Sequence, residues 1–356
     1  MDLSFYHGRR VLITGHTGFK GTWMCKVLSE AGADVTGYAL APDGNENIYT
    51  ICHMDKRVHS VIGDIRDYEK LSAVFEQTKP EIVIHMAAQP LVRESYAQPR
   101  YTYDVNVMGT VNVLECIRQN LCVKSFVNVT TDKVYLNREW NWGYRENEEL
   151  NGYDPYSNSK SCSELVTSSY NNSFFTDRDL AVSTARAGNV IGGGDFAKDR
   201  IIPDCIRAVA EGKKIEVRNP FSVRPYQHVL EPVMAYLMLA QAQYENQTLA
   251  GNYNIGPDEA SCITTGELVS MFCDTWNKSS GQHVTWVSRS ENGPHEANYL
   301  KLDCSKIKSV LGWKPRWSIQ ETMNKIVEWS QNWLCGCDPE ECMKKQILEY
   351  MRIDHV

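Results

Sequence analysis

Apolar and polar positions alternate along the first 190 residues with two periods. Short runs rich in Val, Ile and Leu, at Val11–Ile13, Ala33–Tyr38, Val58–Ile62, Ile82–His85, Ser125–Val129 and Leu180–Ala185, have the length and β-branched content of buried parallel strands. Between them lie stretches with helical spacing: TWMCKVLSEAG, YEKLSAVFEQT, the segment from Asp104 to Gln119, and DPYSNSKSCSELVTSSY. Strand and helix taken in turn predict an α/β fold, a doubly wound parallel sheet of Rossmann type. From about residue 190 the alternation loosens. RIIPDCIRAVAEG, PVMAYLMLAQAQYE and ITTGELVSMFCDTW read as helices, and KIEVRNPFSVRPYQHV as a pair of short strands. The pattern predicts a Rossmann domain over residues 1–188 and a smaller mixed α/β lobe over residues 189–356, interleaved, with some later segments returning to the first domain.

The first strand runs straight into Gly15, Gly18 and Gly21 and then a helix. Glycines in such a turn permit unusual backbone angles, let a pyrophosphate approach bare backbone, and allow close packing of helix on strand. Phosphates would sit at the helix N-terminus, where unpaired N–H groups and the helix dipole favour negative charge. Gly15, His16, Thr17, Gly18, Phe19, Lys20 and Gly21 are therefore candidate dinucleotide contacts. After the second strand, where an acid would read a ribose 2′-hydroxyl, stand Tyr38, Ala39 and Leu40. The following APDGNENIY holds no base to pair a 2′-phosphate, which favours NAD over NADP. Asp64 and Ile65 read either as adenine contacts or, for Asp64, as the cap of the next helix. Ala87, Ala88 and Gln89, at the end of the fourth strand, suit a cofactor lying flat, and Asn106 joins them from the following helix. His85 reads as a packed strand residue.

Composition narrows the class. The chain has 356 residues, a formal net charge of −7, 42% hydrophobic and 23% charged residues, which excludes a disordered protein. Its basic residues are scattered, so nucleic acid is a poor partner. No apolar run reaches the ~18 residues of a membrane span, and the N-terminus lacks a signal peptide's apolar region, so a cytoplasmic protein is expected. Twelve cysteines form no CxxC pair, and Cys335-Gly-Cys337 is too close for a zinc knuckle. Reduced thiols and no metal are expected.

Tyr156 and Lys160 stand four apart and share one helix face, with Thr131 at the end of the preceding strand. A phenol near pKa ~10 is a poor base at neutral pH, but an adjacent ammonium and a positive nicotinamide ring favour its phenolate. Tyr156 could then take a hydroxyl proton while hydride leaves the same carbon, with Thr131 aligning the alcohol.

GHTGFKG, HMAAQPLVRESY, the run Thr131–Lys133, YSNSK, RAGNVIGGGD, RPYQHVLEP and LGWKPRW together resemble the nucleotide-sugar branch of the extended short-chain dehydrogenase/reductase superfamily. Within it they are most similar to the 4,6-dehydratases that act on CDP-sugars, over residue 8 to about 330. The resemblance implies an NAD-dependent dehydration of a nucleotide-hexose, CDP-D-glucose above others, in a homodimer or dimer of dimers formed through the helices at Asp104 and Pro155. It implies that Asp132 protonates the leaving C6 hydroxyl. Where relatives acting on dTDP- and GDP-sugars follow the acid with Glu, this chain has Lys133, either a base at C5 or a fixed cation for the enolate. It further implies substrate contacts at Arg93, Ser95, Asn189, Arg200, Arg218, Arg224, His228 and Tyr299, though Arg218 reads equally as a solvated strand residue. Two alternatives stand: an epimerase or reductase of the same superfamily, against which Asp132 and Lys133 speak, and a non-catalytic NAD-sensing protein, against which the intact Thr131, Tyr156 and Lys160 speak.

Overall fold

The computed structural model describes residues 2–44, 46–289 and 299–352. The Val-Leu-Ile run becomes strand β1 (Arg10–Thr14), buried on both faces after its first residue. It is followed by β2 (Asp34–Ala39), β3 (His59–Ile62), β4 (Ile82–His85), β5 (Ser125–Val129) and β6 (Ala181–Ala187). Four short strands then leave the sheet: β7 (Val190–Ile191), β8 (Ile215–Val217), β9 (Val223–Pro225) and β10 (Gln227–His228). Strand β11 (Asn252–Ile255) re-enters it, giving seven strands in the order β11-β6-β5-β4-β1-β2-β3. All six pairings are parallel. Thr14 lies opposite Tyr38 on one side and His85 on the other, so the strand order reverses at β1. That reversal opens a crevice at the carboxyl ends of β1 and β4.

Helices α1 (Phe19–Glu30), α2 (Tyr68–Thr78), α3 (Gly109–Gln119) and α4 (Pro155–Tyr170) flank the sheet. The segment before α3, Asp104–Met108, is a π-type turn running into it, so the single helix read from Asp104 is two pieces. One core packs α1 and the sheet against the helix Leu230–Glu245 and its neighbours; the other packs α2, α3 and the end of α4 on the opposite face. Beyond β7 come α5 (Ile201–Ala210), α6 (Leu230–Glu245), α7 (Thr265–Ser280), α8 (Ile319–Leu334) and α9 (Pro339–Arg352). Helix α6 is apolar almost all round because it is buried against β5 and β6, and α9 packs on α1. Both therefore belong, with β11, to the sheet's body. A third core, built by α5, α7, α8 and β8, makes the smaller lobe. Capping boxes at Thr264 with Glu267 and Ser318 with Glu321 fix the starts of α7 and α8. The smaller lobe holds more strand than its sequence shows: β7 pairs with β10, β9 with β12 (Cys262–Thr264) and β8 with β13 (Trp286–Ser288).

Candidate active site

A cavity of about 1210 Å³ opens at the carboxyl ends of the sheet, walled by both lobes. That exceeds the ~300–1,000 Å³ of a single-ligand pocket, enough for a dinucleotide and a second ligand together.

At its dinucleotide end, Gly15 has φ +80°, and a Cβ there would lie 2.8 Å from the Ala87 nitrogen. A Cβ on Gly21 would meet the Gly15 carbonyl oxygen at 2.2 Å, whereas one on Gly18 would make only an ordinary contact. Gly15 and Gly21 thus serve the turn and the packing, and Gly18 leaves the floor bare. Gly18 is also the N-cap of α1 and offers no side chain to its first amides, which leaves them for an anion. Tyr38, Ala39, Leu40, Gly63, Asp64 and Ile65 continue the wall. The Tyr38 hydroxyl donates to the Asp64 carbonyl at 2.9 Å. Asp67, not Asp64, caps α2; the Asp64 carboxylate is instead gripped by Arg66 at 2.7 Å, which holds it below the usual carboxylate range. These residues fit a dinucleotide.

Three expected cofactor contacts lie behind this wall rather than on it. His16 is fully buried, its Nε2 2.7 Å from the Ser60 hydroxyl and its ring filling the space over Gly37; burial pushes it down to about 4. The Gln89 side chain turns inward to Thr102 (2.9 Å) and Leu91. Asn106 clamps the Gln89 backbone on both sides, accepting from its N–H at 2.8 Å and donating to its carbonyl at 3.1 Å. All three shape the wall; Ala87 and Ala88 line it.

The chemical end is built on β5 and α4. Asp154 caps α4, accepting from the Ser157 N–H (3.0 Å) and hydroxyl (2.6 Å), with Pro155 in the first turn. This start sets Tyr156 and Lys160 on the cavity side, one turn apart. Lys160 is 4% exposed and donates to the Val129 carbonyl at 3.1 Å. Burial first, then the nearby Lys20 ammonium, pushes it down to about 7. Burial raises the Tyr156 phenol, while Lys133 and the Thr131 hydroxyl pull it back. Lys20, on the same wall, is pushed down to about 8 by burial and by Arg200.

Just past β5, Thr131 caps a turn over Asp132–Val134. The Asp132 carboxylate is fully buried and accepts from the Thr131 hydroxyl (3.0 Å), the Lys133 ammonium (3.1 Å) and the Asn189 amide (3.3 Å). Gly188 must be glycine here, since a Cβ would lie 2.0 Å from the Asp132 Oδ2. Thr131 and Lys133 line the cavity; Asp132 stands one layer behind them. Asn189 reaches Asp132 from a left-handed backbone, φ +34°.

Asn189, Arg200, Arg218 and Arg224 line the smaller lobe's side of the cavity, and Arg93, from the segment after β4, reaches to 3.8 Å from Asp199. Arg200 pairs with Asp195 (3.0 Å) and Arg218 with Asp199 (2.7 Å). Three expected substrate contacts lie off the wall. Ser95 is fully buried, donating to the Val92 carbonyl at 2.7 Å. His228 is fully buried between Trp23 and Trp317, its ring centre 4.7 Å from that of Trp317; burial pushes it down to about 3. Tyr299 bridges to Val223 under the Lys301 ammonium, and it is Leu300 that reaches the wall. His85 is packed as expected, bonded to Thr14 and Thr110.

Sequence reasoning missed the pair beneath the lysine. Glu164 and Arg186, 2% and 1% exposed, pair at 2.8 Å. Glu164 standing four residues after Lys160 on one helix face was the available signal. It also missed Asn137 and Arg138 on the wall, in a segment without motif or periodicity.

The family described as GDP-mannose 4,6 dehydratase matches residues 12–326. A CDP-glucose 4,6-dehydratase of Salmonella typhimurium is 49% identical over 99% of this chain and 98% of its own length. A mouse dTDP-D-glucose 4,6-dehydratase is 28% identical over 90% of this chain and 88% of its own length. Among solved structures, a Thermus thermophilus UDP-glucose 4-epimerase in complex with NAD superimposes with a TM-score of 0.78 at 26% identity, over 90% of this chain and 99% of that one. With a Rossmann sheet, a glycine-floored crevice and this extent of likeness, the chain belongs to the GDP-mannose 4,6 dehydratase family.

Proposed function

We propose that the protein is an NAD-dependent nucleotide-sugar 4,6-dehydratase that converts CDP-D-glucose to CDP-4-dehydro-6-deoxy-D-glucose and water. The carrying observation is the Asp132–Lys133 pair bonded to Thr131 at the cavity wall, in a chain 49% identical to a CDP-glucose 4,6-dehydratase. The bare turn at Gly18 and the first amides of α1 would hold the cofactor's phosphates, and Tyr38, Asp64 and Ile65 would hold its adenosine. NAD supplies a hydride acceptor at C4 and gives the same hydride back at C6, so no net oxidation occurs.

Thr131 orients the C4 hydroxyl and Tyr156, as phenolate, takes its proton. Lys160, in its charged form and held on the Val129 carbonyl, keeps that phenolate accessible. The C4 ketone acidifies C5–H. Lys133, the member of the pair that reaches the cavity, faces C5: neutral, it takes the proton; charged, it holds the enolate while a water in the cavity takes the proton. Lys133→Arg keeps only the second role and Lys133→Met neither. Asp132 supplies the proton with which the C6 hydroxyl leaves as water. Its carboxylate bonds Thr131 and Lys133, so its exchange with the sugar runs through the two groups that line the wall. Asn189 and the arginines Arg93, Arg200, Arg218 and Arg224 meet the diphosphate and nucleoside.

Turnover in D2O tests this. Deuterium should enter at C5, while a C4 deuterium label on the sugar should reappear at C6. Unlabelled C5, or loss of the C4 label to solvent, overturns it. A panel of CDP-, dTDP-, GDP- and UDP-hexoses, assayed for a 4-keto product, reads the base preference. The exposed Met108 and Leu165, just before α3 and on α4, support a dimer through these helices, tested by light scattering. No helix among the described residues is long and apolar enough to cross a membrane, and we place the enzyme in the cytoplasm.

A further inference from the structure

One charged pair lies below the reacting groups and touches neither cavity nor solvent. The Glu164 carboxylate accepts four hydrogen bonds: from the Thr130 hydroxyl (2.5 Å), the Thr184 hydroxyl (2.6 Å), and the Arg186 Nε (2.9 Å) and Nη2 (2.8 Å). Arg186 spends its Nη1 on the Tyr135 hydroxyl (2.8 Å) and the Glu146 carbonyl (3.0 Å). Thr130 is the residue between Val129, whose carbonyl holds Lys160, and Thr131. Glu164 is one turn beyond Lys160 on α4. A single carboxylate thus ties the end of β5 to the helix carrying the tyrosine and lysine, with β6 anchoring it from behind.

Burying an ion pair this deeply costs desolvation that its mutual attraction barely repays, so such a pair is weak evidence for stability alone. One of its bonds reaches Thr130, which stands between Val129, whose carbonyl holds Lys160, and Thr131. We propose that Glu164 is a positioning residue for the dehydration, fixing through Thr130 the spacing between the end of β5 and α4 on which the Thr131, Tyr156 and Lys160 geometry depends. The proposal rests on the functional reading above.

The charged and titratable groups around Lys160 are Lys20 from α1, His85 from β4, Tyr156 and Glu164 on its own helix, and Arg186 behind Glu164. Of these, Glu164 raises Lys160 and Lys20 lowers it. Removing the Glu164 charge therefore makes Lys160 lose its proton at lower pH.

Two hydroxyl deletions on the same carboxylate separate positioning from structure. Thr130→Val cuts the bond toward the reacting groups, and Thr184→Val cuts the bond toward β6. With CDP-glucose, Thr130→Val should lower kcat about tenfold to a hundredfold with KM nearly unchanged, because small misplacements of aligned groups are costly. Thr130→Ser should restore kcat, and Thr184→Val should leave it within about twofold. Glu164→Gln, if it folds, should move the alkaline limb of the kcat profile to lower pH by about half a unit or more. Equal effects of the two valine variants on kcat, or no effect of either, overturn the proposal even if Glu164→Gln fails to fold. Wild-type enzyme with no turnover of any nucleotide-hexose sinks the functional reading and this proposal with it; active wild type with equal variants sinks only this one.

Discussion

The two ends of the cavity are built in opposite ways. Around β5 and α4 the polar groups bond one another out of solvent: Glu164 and Arg186 are 2% and 1% exposed, and Asp132 has three partners and no exposure. On the smaller lobe, Arg200 and Arg218 are about a third exposed and rest on Asp195 and Asp199. The first end is set before any ligand arrives, which is how charge developing in a transition state is best met. The second holds arginines on carboxylates that the proposed diphosphate would displace, and the Arg218–Asp199 pair, exposed on both sides, is worth ~0–1 kcal/mol. Damage to the first should appear in kcat, and damage to the second in KM.

The largest expected effect breaks the first end. Tyr156→Phe should lower kcat about a thousandfold with circular dichroism unchanged, the usual scale for losing a general base. Asp132→Asn should stop dehydration yet leave C4 oxidation, so reduced cofactor should accumulate at 340 nm on mixing with CDP-glucose. No accumulation, with full turnover, points to an epimerase or reductase.

Acid stability measures how firmly the buried histidines behind the cavity are held. His16, His85 and His228 are held by burial at about 4, 3 and 3. Their folded values lie below the unfolded ~6.5, so the unfolded chain takes protons first as pH falls. Their contribution is complete above pH ~6.5 and lost from there down toward the folded values. At pH 5 each histidine should cost about 2 kcal/mol, read as a lower urea midpoint than at pH 7.5. Equal midpoints would mean that these rings protonate in the native state and are not shut off from solvent.

Arg200→Ala and Arg218→Ala should each raise KM for CDP-glucose about tenfold, with kcat within about twofold and a shallower dependence on salt. A loss confined to kcat in either variant would move that arginine to the reacting end.

The same contrast explains what the sequence made legible. The sheet, the glycine turn and the Tyr156–Lys160 face show because each is a local pattern: an apolar run, a spacing, a helix repeat. Depth does not show. His16, Gln89, Asn106, Ser95 and His228 stand in the correct segments, but motif position says nothing of which side a residue faces. Here Gly37 leaves a hollow that His16 fills, and Trp23 and Trp317 enclose His228. The Glu164–Arg186 pair joins a helix to a strand 22 residues on, a long-range contact invisible to periodicity. Strand β11, four residues with two asparagines, carries no apolar alternation; its parallel pairing with β6 and the bonds of Asn254 to Tyr135 and Tyr144 decide its place.

The smallest expected effect is the sharpest test of the contrast, because its sign is at issue. Asp199 accepts from Arg218 at 2.7 Å and lies 3.8 Å from Arg93. If it merely holds these arginines until a diphosphate takes them, Asp199→Asn should weaken that hold and lower KM. The fall should be at most about fivefold, since a pair this exposed is worth no more than ~1 kcal/mol. The substitution does not disturb the chain: Asp199 has φ +59°, a left-handed conformation that Asn adopts at least as readily. Measured at low and at physiological salt, the gain should shrink with salt, because screening already loosens the pair. A rise in KM would show instead that Asp199 aims the arginines at the ligand. The smaller lobe would then be preorganised too, and the two ends of the cavity would differ in depth but not in kind.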